Sequence, residues 1–233
     1  MKGIALAVPL ALVFAGSAQA QSYQCRFART VAIPEIRPDG PPRQVRITGY
    51  TLALSWSPEF CKGRETDARH RSQCSGRNGR FGFVTHGLWP EGAGGWPQWC
   101  PTRANVTPAI ARRNLCLSPS VPLIARQWAK HGSCMARTPR EYFTTARILR
   151  SFIAFPDTDR LSREDDLTAG RLREAFASAN PWWPQDAVGL KVNRRGWLQE
   201  MRLCYDSLMR PKTCDRRRFG PSDGARIRIW RGL

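Results

Sequence analysis

The chain of 233 residues contains three histidines, His70, His86 and His131. Two of them open similar tripeptides, His86-Gly87-Leu88 and His131-Gly132-Ser133, and the second directly follows Lys130. Imidazole takes up and releases protons near neutral pH. Two imidazoles and a cation suit one reaction type, the cutting of a ribose phosphodiester by its own 2′-hydroxyl. One ring removes the hydroxyl proton and the other protonates the departing 5′-oxygen. An ammonium group stabilises the charge that builds on the phosphoryl oxygens. The nucleophile belongs to the substrate, so this chemistry asks for no metal, no organic cofactor and no nucleophile from the protein. No HExxH, Walker loop or GxGxxG offers a rival. The scattered histidines lack the short spacing of most metal sites. His70, inside Ala68-Arg69-His70-Arg71, reads as an ordinary surface histidine.

The elements around the two rings follow from local pattern. Ser120 is placed to cap a helix through Lys130, with Gly132 as its stop. On that helix Gln127, Lys130 and His131 share a face, and Ile124 and Trp128 dock it onto the core. Arg80 to His86 alternates as a strand that Gly87 and Pro90 then break. Strand patterns also cover Thr48–Trp56, Ala187–Asn193, Trp197–Tyr205 and Ala225–Trp230. Thr138-Pro139-Arg140-Glu141 reads as a capping box opening a helix to Arg150, and Thr168–Ala179 reads as another helix. Residues 34–44 and 62–80 read as exposed loops. Strands and helices mix without a βαβ rhythm, which predicts an α+β fold with a central antiparallel sheet flanked by helices.

Charge and cysteine content narrow the class. The chain carries 37 Lys and Arg against 18 Asp and Glu, a net +19. Residues 1–20 have a positive start, an apolar stretch from Ile4 to Ala15 and an Ala18-Gln19-Ala20 cleavage site, so they are expected to be a signal peptide. Residues 21–233 are then a single domain, secreted or periplasmic, with a surplus of +18. A field of that size attracts polyanions: nucleic acid, anionic lipid or acidic polysaccharide. Arginine dominates and suits phosphate oxygens. No second apolar run approaches the ~20 residues of a membrane span, so stable membrane insertion is not expected. Eight cysteines, none in a C-x-x-C pair, point to four disulfides in an oxidising compartment, but eight cysteines allow 105 pairings.

Four segments resemble the ribonuclease T2 family. Phe83-Val84-Thr85-His86-Gly87-Leu88-Trp89-Pro90 is similar to its first active-site segment and Trp128-Ala129-Lys130-His131-Gly132-Ser133-Cys134 to its second. Thr51–Pro58 and Glu200–Asp206 are similar to its core strands. The resemblance implies a disulfide-stapled α+β fold. It also implies a metal-independent endoribonuclease of low base specificity acting on single-stranded RNA; a monomer is expected. Transesterification would give a 2′,3′-cyclic phosphate, and hydrolysis then a 3′-phosphate. Carried over by position, His131 is the general base, His86 the general acid and Lys130 the stabiliser of the phosphorane. Trp89 stacks a base and Glu91 bonds a base edge. Bridges Cys61–Cys74, Cys100–Cys134 and Cys204–Cys214 are implied, and Cys25–Cys116 is the pair that remains.

Two positions depart from the family pattern, whose second segment usually begins His-Glu-Trp. Arg126 stands in place of a phosphate-contacting His and still holds phosphate without titrating. Gln127 stands in place of a Glu and donates a bond to a phosphoryl oxygen, but carries no proton. Retained activity with one fewer acidic limb in the pH profile is expected. Two alternatives stay open: a ribonuclease-like protein that binds RNA without cutting it, and a cationic toxin acting on membranes.

Overall fold

The computed structural model describes residues 24–232, so the expected signal peptide lies outside the described residues. Four antiparallel strands form one sheet: β1 (Ile47–Trp56), β2 (Phe83–Gly92), β3 (Val188–Val192) and β4 (Leu198–Asp206), in the order β2-β1-β4-β3. One face carries Leu52, Leu54, Leu88, Leu190, Met201 and Leu203, all buried. They join a core completed by the longer helices α2 (Val121–Lys130), α3 (Pro139–Ser151) and α4 (Ala169–Ala179), which follow α1 (Pro108–Asn114). Single helical turns at Ser57–Cys61, Arg71–Cys74, Thr158–Leu161 and Arg216–Phe219 lie outside the sequence reading. The α+β expectation is met. The four disulfides are Cys25–Cys116, Cys61–Cys74, Cys100–Cys134 and Cys204–Cys214.

The helix starts follow their caps. Ser120, Thr138 and Thr168 accept from the backbone N–H groups of Leu123, Glu141 and Arg171, each satisfying a donor that the first turn leaves free. The capping box is shifted by one residue, because Glu141 bonds the backbone N–H of Arg137 rather than that of Thr138. Gly132 does not end α2 by a left-handed turn; His131 is the C-cap and a short 3₁₀ turn, Gly132–Cys134, follows. Glycine is needed there for space. A Cβ would stand 2.6 Å from the Trp128 ring and 2.8 Å from that of Tyr142.

Two strand expectations are corrected. β2 does not stop at His86 but runs on through Gly87 and Pro90 to Gly92. Pro90 is tolerated because β2 is an edge strand, where a missing donor costs no ladder bond. The outward backbone groups of Leu88 are met by the Tyr142 hydroxyl, which both donates to the carbonyl and accepts from the N–H at 3.1 Å. Ala225–Trp230 is not a strand. It buries Ile227 and Ile229 as its alternation requires. Its backbone bonds, however, are divided between Leu167 on one side and Gly196 and Leu198 on the other, so only isolated bridges form.

Candidate functional site

The two key histidines sit where regular hydrogen bonding is interrupted. In the β1–β2 ladder Ala53 pairs with Gly87 and Leu54 with Thr85, so His86 is the extra residue of a β-bulge. A bulge re-aims the side chain it carries. Without it, His86 would share the face of Leu88 and enter the core. With it, the ring reaches the other face, where β4 presents Glu200 and Arg202 on alternate residues. His86 Nδ1 donates to Glu200 Oε2 at 2.7 Å, and Arg202 Nε donates to Glu200 Oε1 at 2.8 Å. This fixes the His86 ring and leaves Nε2 for substrate.

Glu200 is only 4% exposed. Burial, the largest influence on it, raises its proton affinity. The bond and charge of His86 and the charge of Arg202 outweigh burial and hold the carboxyl below its ordinary range. Neither Glu200 nor Arg202 was singled out from the sequence. The available signal was a carboxylate on a strand whose neighbours Leu198, Met201 and Leu203 are apolar.

His131 closes the other side. It caps the C-terminal end of α2 and is 8% exposed, with Nδ1 buried and without a partner among the described residues. Burial above all, then the charges of Lys130, His86 and Arg126, push its pKa down to about 3, against a smaller opposing pull from Asp39. Burial and these cations thus favour the neutral ring. Trp89 lies between the two histidines, its ring centroid 5.1 Å from that of His86 and 5.9 Å from that of His131. Both imidazoles thus lie against one indole.

Gln127 holds that indole in place, since Trp89 Nε1 donates to Gln127 Oε1 at 2.8 Å. Gly87 makes room for this bond; a Cβ there would stand 2.1 Å from Gln127 Oε1. The Gln127 carbonyl is thus committed to Trp89, and only its amide NH₂ remains for phosphate. Glu91, expected at a base edge, is placed differently. It accepts from Thr51 Oγ1 at 2.9 Å and Arg218 Nε at 2.6 Å and forms an ion pair with Arg218, so it buttresses the sheet. Arg218, from the helical turn at Arg216–Phe219, is its partner.

Lys130 and Arg126 lie together beside His131. Both bind the carboxylate of Asp39, from the loop at 34–44, and Trp99 Nε1 donates to the same carboxylate at 3.0 Å. The Cys100–Cys134 bridge ties the Trp99 segment to the end of α2. On the far side of His86 opens a cleft of about 550 Å³, lined by Ser55, Phe60, Lys62, Arg64, His70 and Leu123 among others. His70 is therefore a wall of the same cleft rather than a remote surface group. Ser222 has the spacing of a GxSxG nucleophile in Gly220–Gly224, but lies in a loop and not at a strand-to-helix elbow. Among the described residues no three His, Cys, Asp or Glu side chains cluster to hold a metal ion, and no helix is long and apolar enough to cross a membrane.

Comparison with known proteins points one way. Residues 48–158 match the model of the ribonuclease T2 family. A probable ribonuclease of Haemophilus influenzae is 32% identical over 178 residues, covering 71% of this chain and 60% of that protein. A ribonuclease of Aeromonas hydrophila is 41% identical over 101 residues, covering 43% and 44%. The chain thus spans three fifths or less of the length of these relatives. Among solved structures, trichomaglin, described as an S-like ribonuclease, superposes with a TM-score of 0.62 at 20% identity, over 79% of this chain and 98% of that one.

Proposed function

We propose that this chain, which matches the ribonuclease T2 family model over residues 48–158 and a probable ribonuclease at 32% identity, is an endoribonuclease that cuts single-stranded RNA by transesterification. His131, neutral and buried, takes the proton of the 2′-hydroxyl. The alkoxide attacks the adjacent phosphorus, and the P–O5′ bond breaks as His86 delivers a proton from Nε2 to the leaving oxygen. Lys130 offsets the charge on the phosphoryl oxygens, aided by Arg126 and the Gln127 amide. The products are a 2′,3′-cyclic phosphate and a free 5′-hydroxyl. Reversing the two roles lets water open the ring to a 3′-phosphate. No step requires a metal. Stacking on aromatic faces accepts any base, which favours low base specificity.

One observation carries this reading: two histidines 45 positions apart in sequence flank a single indole, one with a carboxylate behind it and the other among cations. The large positive surplus supports a polyanionic substrate. The four disulfides and the apolar stretch at 4–15 support export of a single domain, 21–233, to the periplasm or beyond. Purified protein incubated with RNA in EDTA is expected to yield cyclic-phosphate ends, with cleavage abolished in His86→Ala and His131→Ala. Intact RNA retained tightly in a salt-sensitive complex would replace the enzyme reading with the binding one, and vesicle leakage without RNA loss would favour the membrane-active one.

A further inference from the structure

Asp39 is a carboxylate delivered to the site by a loop that the sequence reading treats as plain surface. The loop is not loose there. Arg43 and Gln98 exchange backbone bonds at 2.8 and 2.9 Å, and the Gln98 amide donates to Pro41 O at 2.9 Å. Three donors, two from α2 and one from the Trp99 segment, meet on the Asp39 carboxylate: Lys130 Nζ at 3.0 Å from each oxygen, Trp99 Nε1 at 3.0 Å from Oδ1, and the Arg126 guanidinium on Oδ2. Trp99 holds an unusual backbone to do this. Its φ is +53°, its N–H donates to Lys130 O at 2.8 Å, and its side chain is buried. A bulky residue in the left-handed region is strained, and such strain gathers at binding sites.

One ammonium, one guanidinium and one indole N–H around an oxyanion describe a phosphate seat. Two cations face one carboxylate, so the seat keeps an excess of positive charge. The carboxylate is accessible, with 43% of its side chain exposed, so a phosphate group can reach and replace it. We propose that Trp99, Lys130 and Arg126 form a phosphate seat that Asp39 occupies in the free protein, and that a phosphate of the RNA chain displaces it. Trp99 then contacts substrate, and Asp39 sets how tightly phosphate is held. The displaced carboxylate swings toward solvent. The proposal rests on the ribonuclease reading only for the source of the phosphate.

Inorganic phosphate is the probe, with binding as the readout. In Asp39→Asn its affinity is expected to rise on the order of tenfold, because the amide keeps the shape and removes the competing charge. Trp99→Phe is expected to weaken it several-fold. In the unaltered protein, the indole N–H resonance of Trp99 should shift saturably as phosphate is added, since its acceptor changes. Should Asp39→Asn bind phosphate no better than the parent, Asp39 merely positions Lys130 and the proposal is overturned. An unmoved Trp99 resonance at saturating phosphate overturns it as well, and decides the matter alone if either variant fails to fold. RNA cleavage enters none of these measurements, so failure of the seat and failure of the ribonuclease reading are told apart.

Discussion

Glu200→Gln isolates the carboxylate behind His86. In the parent, Oε2 accepts from His86 Nδ1 at 2.7 Å and Oε1 accepts from Arg202 Nε at 2.8 Å. Both partners are donors, and a carboxylate serves both. A glutamine amide has one acceptor and one donor end. If its oxygen keeps Arg202, its NH₂ meets Nδ1 and opposes a proton there; if its oxygen keeps His86, its NH₂ opposes Arg202. Either way one charge-assisted bond is lost in a buried setting, at a cost of about 1.5–3 kcal/mol. Expressed in the step where His86 donates a proton, that is roughly a 10- to 150-fold loss in kcat. KM is expected to stay near the parent value, because Glu200 is too buried to contact RNA. The assay compares a dinucleotide with a uridine 3′-phosphodiester carrying a p-nitrophenyl leaving group. The nitrophenolate departs without a proton, so the loss should vanish with it. An equal loss with both substrates would refute the assignment of Glu200 to the general acid.

Three further outcomes are expected. Gly87→Ala places a methyl group 2.1 Å from Gln127 Oε1 and 2.7 Å from Trp89 Nε1; kcat should fall at least about tenfold from misplacement, with native far-UV circular dichroism. Gln127→Glu brings a carboxylate close to the His131 site, so the acid limb of the pH–rate profile should rise and a further limb appear; a restored rate with an unchanged profile would contradict this role. The His131 pKa, lowered to about 3 by burial first and by nearby cations, lies below the ~6.5 of an unfolded histidine. The unfolded chain therefore binds the extra proton between these values. The stability His131 confers by staying neutral is complete above about pH 6.5 and is lost as pH falls toward 3. His131→Gln should flatten the acid side of a plot of Tm against pH.

Much of this site is written in local sequence. The caps at Ser120, Thr138 and Thr168 each act within three residues, so α2, α3 and α4 begin where their side chains place them. Helical spacing likewise put Gln127, Lys130 and His131 on one face. What failed to show depends on distant partners. Pro90 reads as a strand breaker unless β2 is known to be an edge, and edge position is a property of the whole sheet. The bulge at His86 exists only in the register with β1. Asp39 lies 91 positions from Lys130 and 60 from Trp99, and nothing near Asp39 foretells that the loop folds over them. The family resemblance places Glu91 at a base edge; Arg218, 127 positions away, is the partner it holds.

The proposed mechanism gives opposite duties to two identical side chains, and their backing differs. His86 has an anion at its back, and the chain of Arg202, Glu200 and His86 passes a fixed orientation from β4 to the edge strand. His131 is buried with cations beside it and an Nδ1 that has no partner among the described residues, so a charged form there is opposed by more than the pull of Asp39 favours it. General acid and general base must differ in the protons they carry at one pH, and environments that part otherwise equal groups are the usual means. Neither backing comes from a titrating residue next in sequence to its histidine except Lys130. Exchange of Gln127 for an acidic residue would blunt that contrast by giving His131 an anion of its own. A glutamine there keeps the base neutral and the indole anchored, which makes Gln127 compatible with catalysis rather than a mark of its loss.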